Sequence, residues 1–120
     1  MIRFIFCLLF IFAAKNSFAN LAYITNEKDN TVSVIDIKKK KVIKTVEVGQ
    51  RPRGIIMSKD GKLVLICASD DDRVEVREAK TLKLKYYLPS GPDPELFILS
   101  PDDETLYIAN EDDAMVTVVD

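Results

Sequence analysis

The chain has no histidine. That absence removes Ser-His-Asp and Cys-His nucleophile chemistry, histidine-containing zinc sites and a histidine-ligated haem from these residues, because each needs an imidazole as base or ligand. A charge excess is lacking too. Seventeen Lys and Arg stand against 19 Asp and Glu, a formal net charge of −2, so the bulk positive charge that reads phosphates is missing and nucleic acid is not an expected partner. Cysteine is scarce, with only Cys7 and Cys67. Beyond the N-terminal run, no segment has helical periodicity. What is present, 48% hydrophobic and 30% charged residues over 120 positions, is a globular composition that length alone would assign to one domain.

The first residues read differently. Met1-Ile2-Arg3 carries one positive charge, residues 4–14 are apolar, and polar Lys15-Asn16 follows. Ser17-Phe18-Ala19 then sets small residues at the −3 and −1 positions of a cleavage site. This is the pattern of a secretory signal peptide over residues 1–19, a signal helix cleaved after Ala19, and it implies a periplasmic or secreted location. A membrane anchor is the competing reading, but eleven residues rise only about 16 Å as a helix, against a bilayer core of roughly 30 Å. No membrane contact is expected after cleavage. Cys7, without the small residues that precede a lipoprotein cysteine, leaves with the signal. Residues 20–120 retain 101 positions, with 15 basic and 19 acidic side chains. Their one cysteine, Cys67 in Val64-Leu65-Ile66-Cys67-Ala68, has no internal disulfide partner and no basic sequence neighbour, so a small buried strand residue is expected in place of a reactive thiol.

These residues repeat at an offset of 42 without insertion or deletion. Tyr23-Ile24 returns as Leu65-Ile66 and Tyr107-Ile108; Val32 and Val34 return as Val74 and Val76, then as Val116 and Val118. Asn26 matches Ala68 and Asn110, and Asp36 matches Glu78 and Asp120. The intervening segment repeats as well: Gly49 and Gly91, Pro52 and Pro94, Ser58 and Ser100, Asp60 and Asp102. Each unit reads as four short strands. In the first unit these are residues 21–26, 31–36, 42–48 and 54–58, rich in β-branched residues and, as in Thr31-Val32-Ser33-Val34-Ile35-Asp36, alternating with one well-buried face. The turn Ser58-Lys59-Asp60-Gly61 sets glycine where positive φ is needed. Its copy Ser100-Pro101-Asp102-Asp103 has proline at the favoured second position and an aspartate that tolerates the left-handed region. A four-stranded unit repeated every 42 residues is the signature of a β-propeller blade, whereas a β-sandwich has no reason to keep a strict period. The expected fold is all-β: a β-propeller of about 2.4 four-stranded blades in an incomplete ring, with units starting near Tyr23, Leu65 and Tyr107.

The motifs Tyr23-Ile24-Thr25-Asn26, Thr31-Val32-Ser33-Val34-Ile35-Asp36 and Ser100-Pro101-Asp102 resemble the YVTN family of β-propeller repeats of exported bacterial and archaeal surface proteins. The resemblance covers all of residues 20–120. More narrowly, Thr25-Asn26-Glu27-Lys28-Asp29-Asn30, Val48-Gly49-Gln50-Arg51-Pro52-Arg53-Gly54, Ser90-Gly91-Pro92-Asp93-Pro94-Glu95-Leu96-Phe97 and Ala109-Asn110-Glu111-Asp112-Asp113 are similar to the PQQ-dependent catabolism-associated β-propeller proteins. That likeness implies a periplasmic, noncatalytic binding or scaffold module beside quinoprotein alcohol or amine oxidation, with no catalytic residue to carry over. PQQ would belong to the associated system, leaving no cofactor in this chain. The repeat family also admits a surface-layer or adhesion protein, a lactonase-like or haem-carrying propeller enzyme whose active residues lie in other blades, and a nonfunctional truncated product. Closed propellers have about four to eight blades. In the family the strand before the Ser-Pro-Asp-Gly turn is innermost. This chain is then expected to supply three strands of one blade, all four of a second (residues 54–90) and three of another from Leu96. A fragment, or a short protein that completes its ring by self-association, is expected.

Antiparallel strands reverse direction, so the loop leaving each blade shares an end with the loop between its second and third strands. That end collects Glu27, Asp29, Asp70, Asp71, Asp72, Asp93, Glu95, Glu111, Asp112 and Asp113 against Lys28, Arg51 and Arg53. The opposite end collects Lys38-Lys39-Lys40-Lys41, Lys59, Lys62, Lys80 and Lys83. Beyond a solvated rim, the acidic end would suit a cationic partner such as a periplasmic protein. Neither acidic triplet has the spaced ligands of an EF-hand, and no metal site is expected. Arg51 and Arg53 stand one period from Asp93 and Glu95, so neighbouring blades can pair arginine with carboxylate and fix their registry. The functional reading of the same swap is a mixed-charge ring for a small polar ligand.

Overall fold

A computed structural model describes residues 20–120; the expected signal segment 1–19, with Cys7, lies outside the described residues. Ten strands follow in order: β1 (Leu21–Asn26), β2 (Thr31–Asp36), β3 (Lys41–Glu47), β4 (Pro52–Met57), β5 (Leu63–Ala68), β6 (Arg73–Glu78), β7 (Leu84–Pro89), β8 (Pro94–Leu99), β9 (Leu106–Asn110) and β10 (Met115–Val119). They form three antiparallel meanders, β1-β2-β3, β4-β5-β6-β7 and β8-β9-β10. These are the first, second and third blades of a propeller arc. Strand β4 begins at Pro52, two residues before the expected Gly54, because proline can occupy the first position of an edge strand, where no ladder donor is required. Among the described residues one helical turn interrupts the all-β pattern, a 3-10 turn at Ser69–Asp71 ending on a left-handed Asp72.

The period is written into the backbone as well as the side chains. Positive φ falls at Asn30, Asp72 and Ala114, at Lys40 and Leu82, at Arg51 and Asp93, and at Gly61 and Asp103, each set spaced by 42. Asn and Asp tolerate this region and help set the turn, and the two Ser-initiated turns close identically, with Gly61 N–H on Ser58 and Asp103 N–H on Ser100 at 2.9 Å each.

Alternation along each strand sends successive residues to opposite blade faces. On β5, Val64 and Ile66 turn toward the first blade and pack with Val32, Val34, Ala79 and Leu82. Leu65 and Cys67 turn toward the third blade and pack with Val74, Val76, Leu106 and Ile108. Both faces of β5 are buried, which is why its sequence is a continuous apolar run. Burial of an Ile66 or Ile108 side chain, both fully inaccessible, contributes about 1.5–3 kcal/mol. Cys67 is buried in the same layer, and burial pushes its thiol up to about 12, so it stays protonated and inert.

The charged face of β6 departs from simple alternation. Arg73, Glu75 and Arg77 pair in register with Ala68, Ile66 and Val64, on the face covered by the first blade. Glu75 and Arg77 are both buried, so β6 is enclosed on two sides. Arg77 Nε donates to Glu75 Oε2 at 2.7 Å, and Arg77 Nη1 donates to the Leu82 carbonyl at 2.9 Å. Arg73 lies 4.2 Å above the Tyr87 ring.

Candidate loop-end interaction site

The strand connections place the β1–β2, β5–β6 and β9–β10 turns at one end, together with the segments entering β4 and β8. Arg51 and Arg53, on that entry to β4, sit among the carboxylates. Arg51 is paired with Glu27 at 3.1 Å, Asp70 at 3.4 Å and Asp93 at 3.3 Å. Arg53 is paired with Glu111 at 2.8 Å and with Glu95. Arginine serves here because its planar fork meets several carboxylates at once. The pairs Arg51–Asp93 and Arg53–Glu95 join residues exactly one period apart, across the seam between the second and third blades.

The loop backbones that hold these arginines also follow the repeat. Asn30 Oδ1 accepts the Arg51 N–H at 2.8 Å, and Asp72 Oδ1 accepts the Asp93 N–H at 2.9 Å. Asp71 is drawn to Gln50 N–H at 2.9 Å and to Arg73 at 3.0 Å. Of the ten expected carboxylates and arginines at this site, the structure therefore clusters Asp70 and Asp93 on Arg51, and Glu95 and Glu111 on Arg53. Asp71 and Asp72 turn to the backbone and Arg73, while Asp112 and Asp113 stand exposed with no ion pair among the described residues. Two polar residues outside the expected set also build the site. Ser69 Oγ donates to the Pro94 carbonyl at 2.6 Å, and Asn110 Nδ2 donates to the Ser90 and Pro92 carbonyls at 2.7 Å each. The Asn30–Asp72 correspondence was visible in the period; the long-range bonds of Asn110 were not, since nothing local marks an asparagine that closes the preceding loop.

Hydrogen bonding to Arg53 holds Glu111 below the usual carboxylate range. Arg51 and Arg53 are correspondingly raised, first by their hydrogen bonds to Glu27 and Glu111. At the other end, the Lys62 N–H lowers Asp60, and the Ser100 hydroxyl lowers Asp102. A carboxylate with a depressed folded pKa adds stability that is complete above its unfolded pKa and is lost as pH falls through the folded value. Denaturant midpoints are therefore expected to be flat above about pH 5 and to fall steadily below about pH 4, where unfolded Asp and Glu begin to take up protons. A midpoint unchanged down to pH 3 would contradict these pairings. Arg53→Ala is expected to lower the urea midpoint, because Glu95 and Glu111 lose their shared counter-ion at a blade seam. The loss should shrink in high salt, and urea titration at two salt concentrations would measure it.

Chemically the end is a set of fixed charges. Among the described residues no group of His, Cys, Asp and Glu side chains is arranged to hold a metal ion, since arginines occupy the middle of the carboxylate clusters. The geometry and connectivity define a class: an arc of an antiparallel β-propeller whose blades are keyed to one another by arginine–carboxylate pairs. The chain belongs to the cytochrome D1 heme domain family, whose family model matches residues 12–95. No curated protein matches the chain in sequence. Three solved structures share the fold. Hydrazine synthase of Kuenenia stuttgartiensis is 24% identical with a TM-score of 0.77, over 84% of this chain and 29% of that one. The dihydro-heme d1 dehydrogenase NirN, in complex with DHE, is 20% identical with a TM-score of 0.69, over 84% of this chain and 22% of that one. A functionally unknown protein of Desulfotomaculum acetoxidans DSM 771 is 18% identical with a TM-score of 0.66, over 84% of this chain and 38% of that one. The chain thus spans well under half the length of each.

The family implies a haem, and the described residues do not fit one. A haem needs an axial donor and cationic partners for its peripheral carboxylates. The only described thiol, Cys67, is enclosed beneath the third blade, the exposed Tyr86, Tyr107 and Met57 line three separate depressions and converge on no common site, and both loop-end arginines are already engaged by carboxylates. The remaining acidic side chains at that end repel an anionic macrocycle.

Proposed function

We propose that this chain is an exported, noncatalytic binding and scaffold module whose acidic loop end docks a cationic partner, beside a periplasmic quinoprotein system for alcohol or amine oxidation. The observation that carries the docking reading is the consumption of Arg51 and Arg53 by carboxylates, which leaves Asp29, Asp112 and Asp113, against Lys28 alone, as the outward charge of that end. A propeller holds such loops on rigid strands, so a patch of one sign steers an oppositely charged partner. The signal-like residues 1–19 support export, and the loop motifs quoted above support the quinoprotein context, with PQQ held by the associated system.

Isothermal titration with a lysine-rich peptide tests the docking. Binding in low salt, weakened by Asp112→Asn with Asp113→Asn and by added salt, is the expected result; equal binding by the double variant would overturn it. Quinoprotein genes beside this one are expected, and their absence would count against the metabolic context.

The family match favours a second reading, in which this arc is one wall of a haem-carrying ring whose ligands come from elsewhere. Absorption of the native protein purified from its source separates the two: a haem Soret band that copurifies with the chain favours the second, and none is expected under the first.

A further inference from the structure

The end of the blades opposite the arginine site carries an unbalanced charge. On the first two blades it holds nine lysines, Lys38 to Lys41 and Lys44 on the first and Lys62, Lys80, Lys83 and Lys85 on the second. The carboxylates among them are Asp36, Asp60 and Glu78, and each is engaged locally. Asp36 Oδ1 accepts the Lys39 N–H at 2.9 Å, and its Oδ2 pairs with Lys39 Nζ at 3.4 Å. Asp60 pairs with Lys62 at 3.3 Å, and Glu78 Oε2 accepts the Thr81 hydroxyl at 2.6 Å. Lys38, Lys40, Lys41, Lys80, Lys83 and Lys85 are exposed and have no ion pair among the described residues.

Along the chain these lysines fall in two separate runs. The fold makes them one surface, because equivalent loops of neighbouring blades lie side by side: Lys44 Nζ, from the first blade, donates to the Thr81 carbonyl of the second. Both loops are held in place. They turn on left-handed residues one period apart, Lys40 and Leu82, and Leu82 is buried. The Ala79 N–H donates to the Lys62 carbonyl at 2.8 Å, which ties the second loop to the turn beside it. The surface ends at the third blade, where Asp102, Asp103 and Glu104 occupy the turn.

We propose that this lysine surface docks on the anionic headgroups of a phospholipid bilayer. The kind of cation selects that occupant. Residues 37–44 and 78–85 contain no Arg and no aromatic side chain, whereas protein interfaces are enriched in both and depleted in Lys. A single anion is clamped by arginine forks, as the carboxylates are at the opposite end. Unpaired ammonium groups on long stems suit many interchangeable anions spread over a surface. The overall charge does not oppose the contact, although residues 20–120 carry 15 basic and 19 acidic side chains. Strands of six residues set the two ends about 20 Å apart, more than twice the Debye length of about 8 Å at physiological salt. The bilayer therefore meets the lysine end alone, and the acidic end points away from it. Signal cleavage removes the apolar run that would insert; contact at the headgroups needs no insertion. The docking does not depend on the reading of the acidic end.

Flotation with lipid vesicles is the test, on the whole protein purified from its own cells with the substitutions introduced into its gene. The wild type is expected to float with phosphatidylcholine vesicles that contain phosphatidylglycerol, to stay behind with phosphatidylcholine alone, and to be released as salt is added. Lys38→Gln with Lys40→Gln and Lys41→Gln should weaken binding about 100-fold, at about 5-fold for each lysine near an anionic surface. Lys80→Gln with Lys83→Gln, on the other blade, should weaken it about 25-fold by the same measure. All five side chains are exposed, so the far-ultraviolet strand signal and thermal midpoint should be retained. Asp112→Asn with Asp113→Asn should float as the wild type does while losing the lysine-rich peptide, so that failure at one end is distinct from failure at the other. A wild type that does not float with phosphatidylglycerol, or floats equally without it, would overturn the proposal. So would a folded triple lysine variant that floats like the wild type. Release by poly-glutamate at a lower charge concentration than the lipid supplies would also overturn it, assigning the surface to an acidic protein.

Discussion

Glu75→Ala is expected to destabilise the chain by about 3–5 kcal/mol, the range for removing one partner of a buried ion pair. Glu75 is only 2% exposed, and its carboxylate is the acceptor for Arg77 Nε at 2.7 Å. Truncation leaves the Arg77 guanidinium enclosed between two blades with only the Leu82 carbonyl as a partner. Chemical denaturation would show this as a lower midpoint with little change in slope. The repeat supplies a control. At the positions equivalent to Glu75 and Arg77 the third blade carries Thr117 and Val119, and the first carries Ser33 and Ile35. The paired change Glu75→Thr with Arg77→Val removes both charges together, and its cost should be far below that of Glu75→Ala, because replacing a buried pair by residues that pack is often neutral. If the double variant were as unstable as the single one, the loss would lie in shape and not in the orphaned charge.

Gly54→Val is the second large effect, expected at about 1–3 kcal/mol or more from overpacking. The Cβ of any larger residue meets the Glu95 carbonyl oxygen at 2.8 Å and the Leu96 Cα at 3.3 Å. Both are backbone atoms of β8, so no side-chain rotation relieves the contact, and the inner strands of two blades must separate. Thermal unfolding should therefore fall by several degrees, each kcal/mol being roughly 4–8 °C for a domain of this size. Gly61→Asn is the informative contrast. Gly61 has φ of 71° in a turn with little around it, and its repeat equivalent Asp103 already adopts φ of 63°. It should cost far less. The two glycines thus do separate jobs: one allows close approach of strands, the other a left-handed turn.

Much of the fold was legible along the chain. Strands β1, β2, β5 and β6 fall where alternation and β-branched content set them, and the turn at residues 58–61 and its copy have the predicted left-handed residues. The period was legible because a propeller builds each blade from the same local instructions, and local instructions are what a sequence carries directly. The expected site was legible in its parts and only partly in its pairings. The one-period offset anticipates Arg51 beside Asp93 and Arg53 beside Glu95. It does not anticipate that Glu111, 58 residues from Arg53, joins that arginine, or that Asp71 leaves the cluster for Gln50 and Arg73.

The β6 ladder marks the same boundary. Arg73-Val74-Glu75-Val76-Arg77-Glu78 reads as a strand with an apolar face and a charged, solvated one. Strand formation and alternation needed only those six residues. Whether the charged face meets water was decided by the first blade, which packs over it and turns an ordinary surface pair into a buried one. The sequence by itself determined the absence of imidazole chemistry, the 42-residue unit, the strands and turns within each unit, and which loops share an end, because these follow from composition and from contacts among near neighbours. Only the tertiary structure decided which faces are covered, which carboxylates each arginine holds, and that Gly54 lies against backbone. Those depend on how whole blades come together, and burial is a property of the assembled surfaces.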